Sequence, residues 1–135
     1  LSTVEIEVND ILSQIVDFTI MFEMDGKMVN NYICYGDDKQ WPLELASGME
    51  KFISSLAIRI ALTNIASLPR PNFMAIDEGW GSMDSDNINS VYKLFEYLKN
   101  KHQFSLIISH VDTMRDFTDT LLEIKQEDDY SKITF

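Results

Sequence analysis

The stretch FMAIDEGWGSMD, Phe73 to Asp84, is a short apolar run that breaks into two adjacent carboxylates. Phe73 to Ile76 has the length and near-continuous apolarity of a strand covered on both faces, as in a parallel sheet. Asp77 and Glu78 then emerge at its carboxyl end, where open α/β sheets place their ligands. Neighbouring carboxylates repel each other, and a divalent cation relieves that repulsion. One carboxylate can hold Mg²⁺ through water while the other takes a proton from an attacking water. A plain solvated loop accounts for the two acids but leaves the Gly79-Trp80-Gly81 flanking unexplained.

Upstream stands LASGMEK, Leu45 to Lys51. Ser47 followed by Glu50 three residues on is a capping box, each side chain taking one free amide at a helix start. The cap alone explains Ser47 and Glu50. It does not explain Gly48, since glycine in a first turn costs about 1 kcal/mol relative to alanine. Glycine there permits close approach to the backbone, and free amides with the helix dipole make a phosphate site. The helix this cap opens is predicted over residues 48 to 67. Phe52, Ile53, Leu56, Ile58, Ile60, Ala61, Leu62 and Ile65 make it apolar on most sides, so it is expected to be buried. Pro69 and Pro71 stop it.

Downstream, Ile88, Val91, Leu94, Phe95 and Leu98 repeat at helical spacing, and Phe104 to Ile108 reads as a second buried strand. Ser109 and His110 end that strand, at the same edge as Asp77-Glu78 if the strands are parallel. A short helix is expected around Met114 and Phe117. A closing hairpin follows, 120 to 125 with 132 to 135, around an acidic loop from Gln126 to Tyr130. At the other end, Val4, Val8, Ile11, Leu12, Ile15 and Val16 predict an amphipathic helix over 3 to 16. Alternation from Phe18 to Tyr35 about the Asp25-Gly26 turn predicts a β-hairpin. Trp41-Pro42 reads as loop. The expected class is α/β, mainly a parallel sheet with flanking helices plus an antiparallel hairpin.

The 135 residues suit one domain, with 45% hydrophobic residues to fill its core and no apolar run of membrane-span length. A net charge of −11 means that the surface as a whole repels nucleic acid, so any DNA role needs a local patch or a partner chain. Cys34 is alone, which excludes a disulfide framework and a cysteine-based zinc site. The only Gly-Lys pair, Gly26-Lys27, is followed by Met28 and belongs to the hairpin turn, so the phosphate-cradling Gly-x-x-x-x-Gly-Lys-Ser/Thr loop is missing. No Gly-x-Ser-x-Gly supports nucleophilic hydrolysis. Asp84-Ser85-Asp86 lacks the glycine and closing glutamate of a calcium loop and reads as a helix start. Leu1 sits inside a helical pattern, and the expectation is a fragment or one piece of a split protein.

In this order, the signature-like Ser-Gly-x-Glu helix, the Asp-Glu strand end, Ser-x-Asp and the His strand end resemble the C-terminal lobe of an ABC-type P-loop ATPase head. More narrowly, DEGWGSMD is similar to the SbcC-type double-strand-break repair ATPases, relatives of the SMC proteins. The resemblance implies that residues 1–17 are a coiled-coil stub and 18–135 the C-terminal half of the head, without the N-terminal P-loop lobe. It implies ATP and Mg²⁺ as ligands, both requiring that missing lobe. Ser47, Gly48 and Glu50 become nucleotide-binding residues, with Ser47 and Gly48 on the γ-phosphate of ATP held by a second head. Asp77 holds Mg²⁺ through water, and Glu78 is the general base. His110 bonds the γ-phosphate, and Ser82 and Asp84 lie at the dimer interface. The family has glycine where this chain has Met49, which adds bulk near the phosphate.

The implied activity is ATP hydrolysis by the assembled head only. The implied partners are the P-loop lobe, a second head as homodimer, an SbcD-type nuclease, and DNA through the complex, with no membrane. The implied location is cytoplasmic, or nuclear in a eukaryote. An SMC-like DNA-organising head, a low-turnover scaffold, and a metal-dependent nuclease using Asp77, Glu78 and Asp84 stay open as alternatives.

Overall fold

The computed structural model describes all residues from Leu1 to Phe135. Helix α1 spans Ser2–Leu12, and β1 (Thr19–Asp25), β2 (Met28–Tyr35) and β3 (Lys39–Pro42) form an antiparallel sheet in that order. Helix α2 (Gly48–Ile65) leads to β4 (Phe73–Asp77), and α3 (Ile88–Lys101) to β5 (Phe104–Ile108). A last antiparallel pair, β6 (Glu123–Glu127) and β7 (Tyr130–Thr134), closes the chain. Short 3-10 turns occupy Leu43–Leu45, Trp80–Ser82 and Asp112–Phe117. The class is α/β, as expected, with β4 and β5 as its parallel sheet. No helix is long and apolar enough to cross a membrane.

One core of 23 residues runs from Val8 in α1 through Ile33, Ile53 and Trp80 to Phe117. The apolar stripe of α1 is spent here, since Val8, Ile11 and Leu12 are all buried. The helix stops four residues short of its predicted end. Residues 14 and 15 tighten instead into bonds three residues back (Gln14 N–H to Ile11 O, 3.2 Å; Ile15 N–H to Leu12 O, 2.9 Å), which keeps Ile15 in the core. The polar residues of α1 act as a neighbour to β1. Asn9 donates Nδ2 to Ile20 O (2.9 Å) and accepts from Ile20 N–H (2.8 Å), while Glu5 accepts from Phe22 N–H (2.7 Å). An otherwise open strand edge is thereby satisfied. Asn64 of α2 donates to Glu7 of α1 at 2.7 Å and ties the two helices together.

Three expectations are corrected. The Trp41-Pro42 segment is strand, because Trp41 pairs with Ile33 and stacks on Tyr35 (5.5 Å between ring centroids), and Pro42 ends an edge strand that needs no further donor. Helix α2 is not buried on most sides. Met49, Ile53, Leu56, Ala57, Ile60 and Ala61 face the core, but Leu62 and Ile65 are exposed. Strands β4 and β5 are not covered on both faces. Ile76 faces the core, while Phe73, Ala75, Leu106 and Ile108 look outward and Phe104 is 57% exposed. For the strands the reason is that nothing in this chain covers the outer face of the parallel pair. The closing hairpin is present, but its loop shrinks to Asp128-Asp129, with Asp128 at φ 55°.

Candidate functional site

Parallel pairing sets the site. Phe73 lies beside Phe104 and Asp77 beside Ile108, so both strands end at one edge. The ladder runs one residue further, with Glu78 N–H donating to Ile108 O at 2.9 Å. The backbone then turns sharply. Glu78 has φ 62° and Gly79 φ 103°, two consecutive left-handed residues. For a glutamate this conformation costs on the order of 1–3 kcal/mol, and such strain gathers at functional sites. It brings Glu78 Oε1 to within 2.9 Å of His110 Nδ1. The two residues, 32 apart in sequence, are therefore in contact, and the opposite ring nitrogen of His110 is left free on a side chain 82% exposed. Asp77 ends β4, exposed and beside them, and its side chain makes no hydrogen bond.

The glycine-tryptophan flank now has a reason. A Cβ on Gly79 would collide with the ring of Phe52 in α2. Trp80 is fully buried, edge-on to Phe52 (4.8 Å) and tilted against Phe95 (5.5 Å). Gly81 has open space around it, and its identity is unexplained.

The predicted capping box is complete. Glu50 N–H donates to Ser47 Oγ at 3.3 Å, and Ser47 N–H donates to Glu50 Oε2 at 2.6 Å. The other oxygen of Glu50 accepts from the Tyr35 hydroxyl at 2.6 Å. Both carboxylate oxygens are thus committed inside the chain. Burial pushes the Glu50 carboxyl up, but the bonds from Tyr35 and Ser47 hold it below the usual carboxylate range. Burial, then the bond to Glu50, pushes the Tyr35 hydroxyl up. The first-turn amides of Gly48 and Met49 have no partner within the helix. Met49 itself is buried in the core. Its side chain packs into the core and also borders the cavity at the start of α2.

Ser82 and Asp84 lie beside this cap. Asp84 Oδ1 accepts from Asp86 N–H (3.0 Å) and Asn87 N–H (3.2 Å) and so caps a turn; the helix start expected at 84–86 falls later, at Ile88, with Asn87 as its N-cap. Asn87 returns two bonds, accepting from Asp84 N–H (3.0 Å) and donating to Ser82 O (3.2 Å). A cavity of about 320 Å³ lies between the starts of α2 and α3. Asp17, Glu50, Asp84 and Asp86 line it with no basic side chain, so it repels phosphate. An anion approaching this end of α2 must do so over the Ser47-Gly48 amides, with its positive charge supplied from elsewhere.

Sequence reading missed Tyr35, Phe52 and Asn87. Only Asn87 carried a local signal, three residues after Asp84. Tyr35 and Phe52 act across distances that no spacing rule reports. No group of three or more His, Cys, Asp or Glu side chains gathers anywhere to cage a metal. Asp77 with Glu78 fits a Mg²⁺ held through one or two carboxylates, with water and substrate phosphates for the rest.

No protein-family model matches the chain. It is 38% identical to an uncharacterized protein, R555, of Acanthamoeba polyphaga mimivirus, over 98% of this chain and 11% of that protein. It is 32% identical to a probable DNA double-strand break repair Rad50 ATPase of Aquifex aeolicus, over 68% of this chain and 10% of that protein. It is also 32% identical to the SbcC component of the SbcCD nuclease of Bacillus subtilis, over 55% of this chain and 7% of that protein. The chain spans about a tenth of the length of the curated relatives it matches. Among solved structures, its fold matches one from a study of ATP-driven dimerization and DNA-stimulated activation of SMC ATPases. That match has a TM-score of 0.77 and 16% identity over 98% of this chain and 83% of that one. The SMC head domain from Thermotoga maritima matches with a TM-score of 0.67 and 24% identity, over 99% and 47% respectively. Related in sequence to Rad50 and SbcC, and folded like part of an SMC head, the chain is similar to the C-terminal lobe of an SbcC/SMC-type ATPase head.

Proposed function

We propose that this chain is the C-terminal half of a head that binds and hydrolyses ATP, pairs with a second head on ATP, and regulates a nuclease processing DNA ends. The observation that carries the reading is the Glu78–His110 contact at the joint end of two parallel strands, with Asp77 beside it. In this reading Glu78 orients and deprotonates the attacking water. His110 holds Glu78 through one ring nitrogen and presents the other to the γ-phosphate. Asp77 would hold Mg²⁺ through water, and the ion when bound would offset charge on the phosphates. Ser47 and the Gly48 and Met49 amides meet the γ-phosphate of the nucleotide on the second head. Glu50, with both oxygens engaged, keeps that cap in shape. Ser82 and Asp84 face the second head.

The outward apolar face of β4 and β5 supports an N-terminal P-loop lobe as the missing layer, and residues 1–17 as the root of a coiled-coil arm that begins inside the core. Sequence relatives with repair names favour an SbcD-type nuclease as partner and DNA ends as the material handled. The fold match to SMC heads keeps a DNA-organising head as a second reading, separated from the first by whether a nuclease copurifies.

The test uses the chain joined to its P-loop lobe. The lone chain is expected to bind no ATP tightly, and the joined head to hydrolyse it. Glu78→Gln in the joined head should lower turnover by about 10²–10⁴-fold while ATP binding persists. Tight binding by the lone chain, or unchanged turnover in the variant, contradicts the proposal.

A further inference from the structure

The two functional runs touch each other inside this one chain. A Cβ placed on Gly48 would lie 2.8 Å from Ser82 Cβ and 3.1 Å from Ser82 Oγ. The hydroxyl could rotate away, but the Cβ can move only with its backbone. That backbone is pinned on both sides. Ser82 O accepts from Asn87 Nδ2, Met83 N–H donates to Trp80 O at 3.0 Å, and Trp80 is fully buried against Phe52 and Phe95. One turn further along α2, Phe52 closes on Gly79, which is held at φ 103°. The 79–82 turn therefore sits on the first two turns of α2 at two points, and both points use a glycine because the neighbour leaves no room for a side chain.

We infer that Ser82 is a positioning residue for the Ser47-Gly48 cap, and that the Asp77-Glu78 strand end and the start of α2 move as one body. The inference rests on the proposed ATPase reading for its consequence. The half-site completed by this chain's own P-loop lobe and the half-site offered to the second head are mechanically joined through Gly48–Ser82 and Gly79–Phe52. A shift of Glu78 on nucleotide binding is carried to Ser47 without passing through a ligand. On this account Gly48 is glycine for the sake of Ser82, and not to admit a phosphate.

The experiment is a pair of substitutions in the joined head. Gly48→Ala overpacks the joint and should lower the thermal midpoint of the nucleotide-free head by roughly 4 °C or more. It should weaken ATP-driven head pairing and kcat by roughly ten-fold while the ATP affinity of the head's own P-loop stays unchanged. Adding Ser82→Gly removes the opposing Cβ and should restore the midpoint, and it should bring pairing and kcat to the level of Ser82→Gly alone. If Gly48→Ala/Ser82→Gly pairs less well than Ser82→Gly by the same factor that Gly48→Ala loses against the native head, the glycine serves the ligand and the inference fails. If Gly48→Ala leaves the midpoint unmoved, the turn yields freely and the inference fails as well. A native head that does not pair on ATP breaks the proposed function instead, and the nucleotide-free midpoints still decide whether the joint exists.

Discussion

The turn after β4 and the outer face of β4–β5 are a few residues apart and are built on opposite terms. In the turn, Gly79, Trp80, Ser82 and Asn87 leave no space, and the one buried side-chain polar atom without a partner there is Trp80 Nε1. Trp80 is wholly buried, Ser82 touches Gly48, and Asn87 joins Ser82 to Asp84. On the outer face, Phe73 and Phe104 stack at 5.3 Å in the open, with Leu106 and Ile108 also exposed beyond them. Leu121, Leu122, Ile124 and Ile133 lie exposed further along the chain. The first region is finished within this chain. The second has the composition of an interior and no cover. Self-contained geometry goes with the residues that perform chemistry in the proposed head, and unfinished packing goes with the surface that receives the rest of the fold.

The contrast breaks down if substitutions in the two regions behave alike. Gly79→Ala meets both a left-handed backbone and the Phe52 ring, so a loss of about 2–6 kcal/mol in chemical denaturation is expected. A loss below about 1 kcal/mol would show that the turn is loose. On the open face, Phe104→Asp should leave the lone chain's stability within about 1.5 kcal/mol, the worth of the aromatic pair. The same change should weaken joining to the P-loop lobe by about 2–4 kcal/mol, measured by titration calorimetry, as for a central aromatic anchor. Equal joining by the variant would mean that this face is not the seam.

The smallest effect is expected at the cap. Glu50 is held below its ordinary range, so its contribution is present at neutral pH and is lost as pH falls through the lowered value, below 4.5. Tyr35→Phe removes one of the bonds that lower it. The acid-unfolding midpoint should therefore move to higher pH, with a change at neutral pH of about 1 kcal/mol or less. A midpoint moving the other way would show that burial, not the hydroxyl, sets the carboxyl.

Much of the site was legible because its signals are local. Asp77-Glu78 at a strand end, His110 at the next strand end and the Ser47–Glu50 box each need only short-range geometry. The Asp84 turn is also readable, since an Asx cap spans three residues, although α3 itself starts only at Ile88. The errors fell where local pattern and global layering part. The apolar runs of β4 and β5 read as strands covered on both faces and that of α2 as a helix buried on most sides, because sequence records what a segment can bury and not whether this chain supplies the cover. Trp41-Pro42 was read as loop, because the stacking of Trp41 on Tyr35 that makes it a strand is a cross-strand event.

By itself the sequence determined the element order apart from β3, the parallel pairing implied by strand, helix, strand, and the set of acids, histidine and capped helix that chemistry would use. These follow from periodicity, turn residues and caps, all properties of a few consecutive residues. Only the tertiary structure decided that Glu78 meets His110, that Met49 turns inward, and that Gly48 is small because Ser82 lies against it. Each of these is a contact between residues more than thirty apart, or a choice of which face to bury. Such outcomes are settled by how layers stack, which one segment's pattern does not contain.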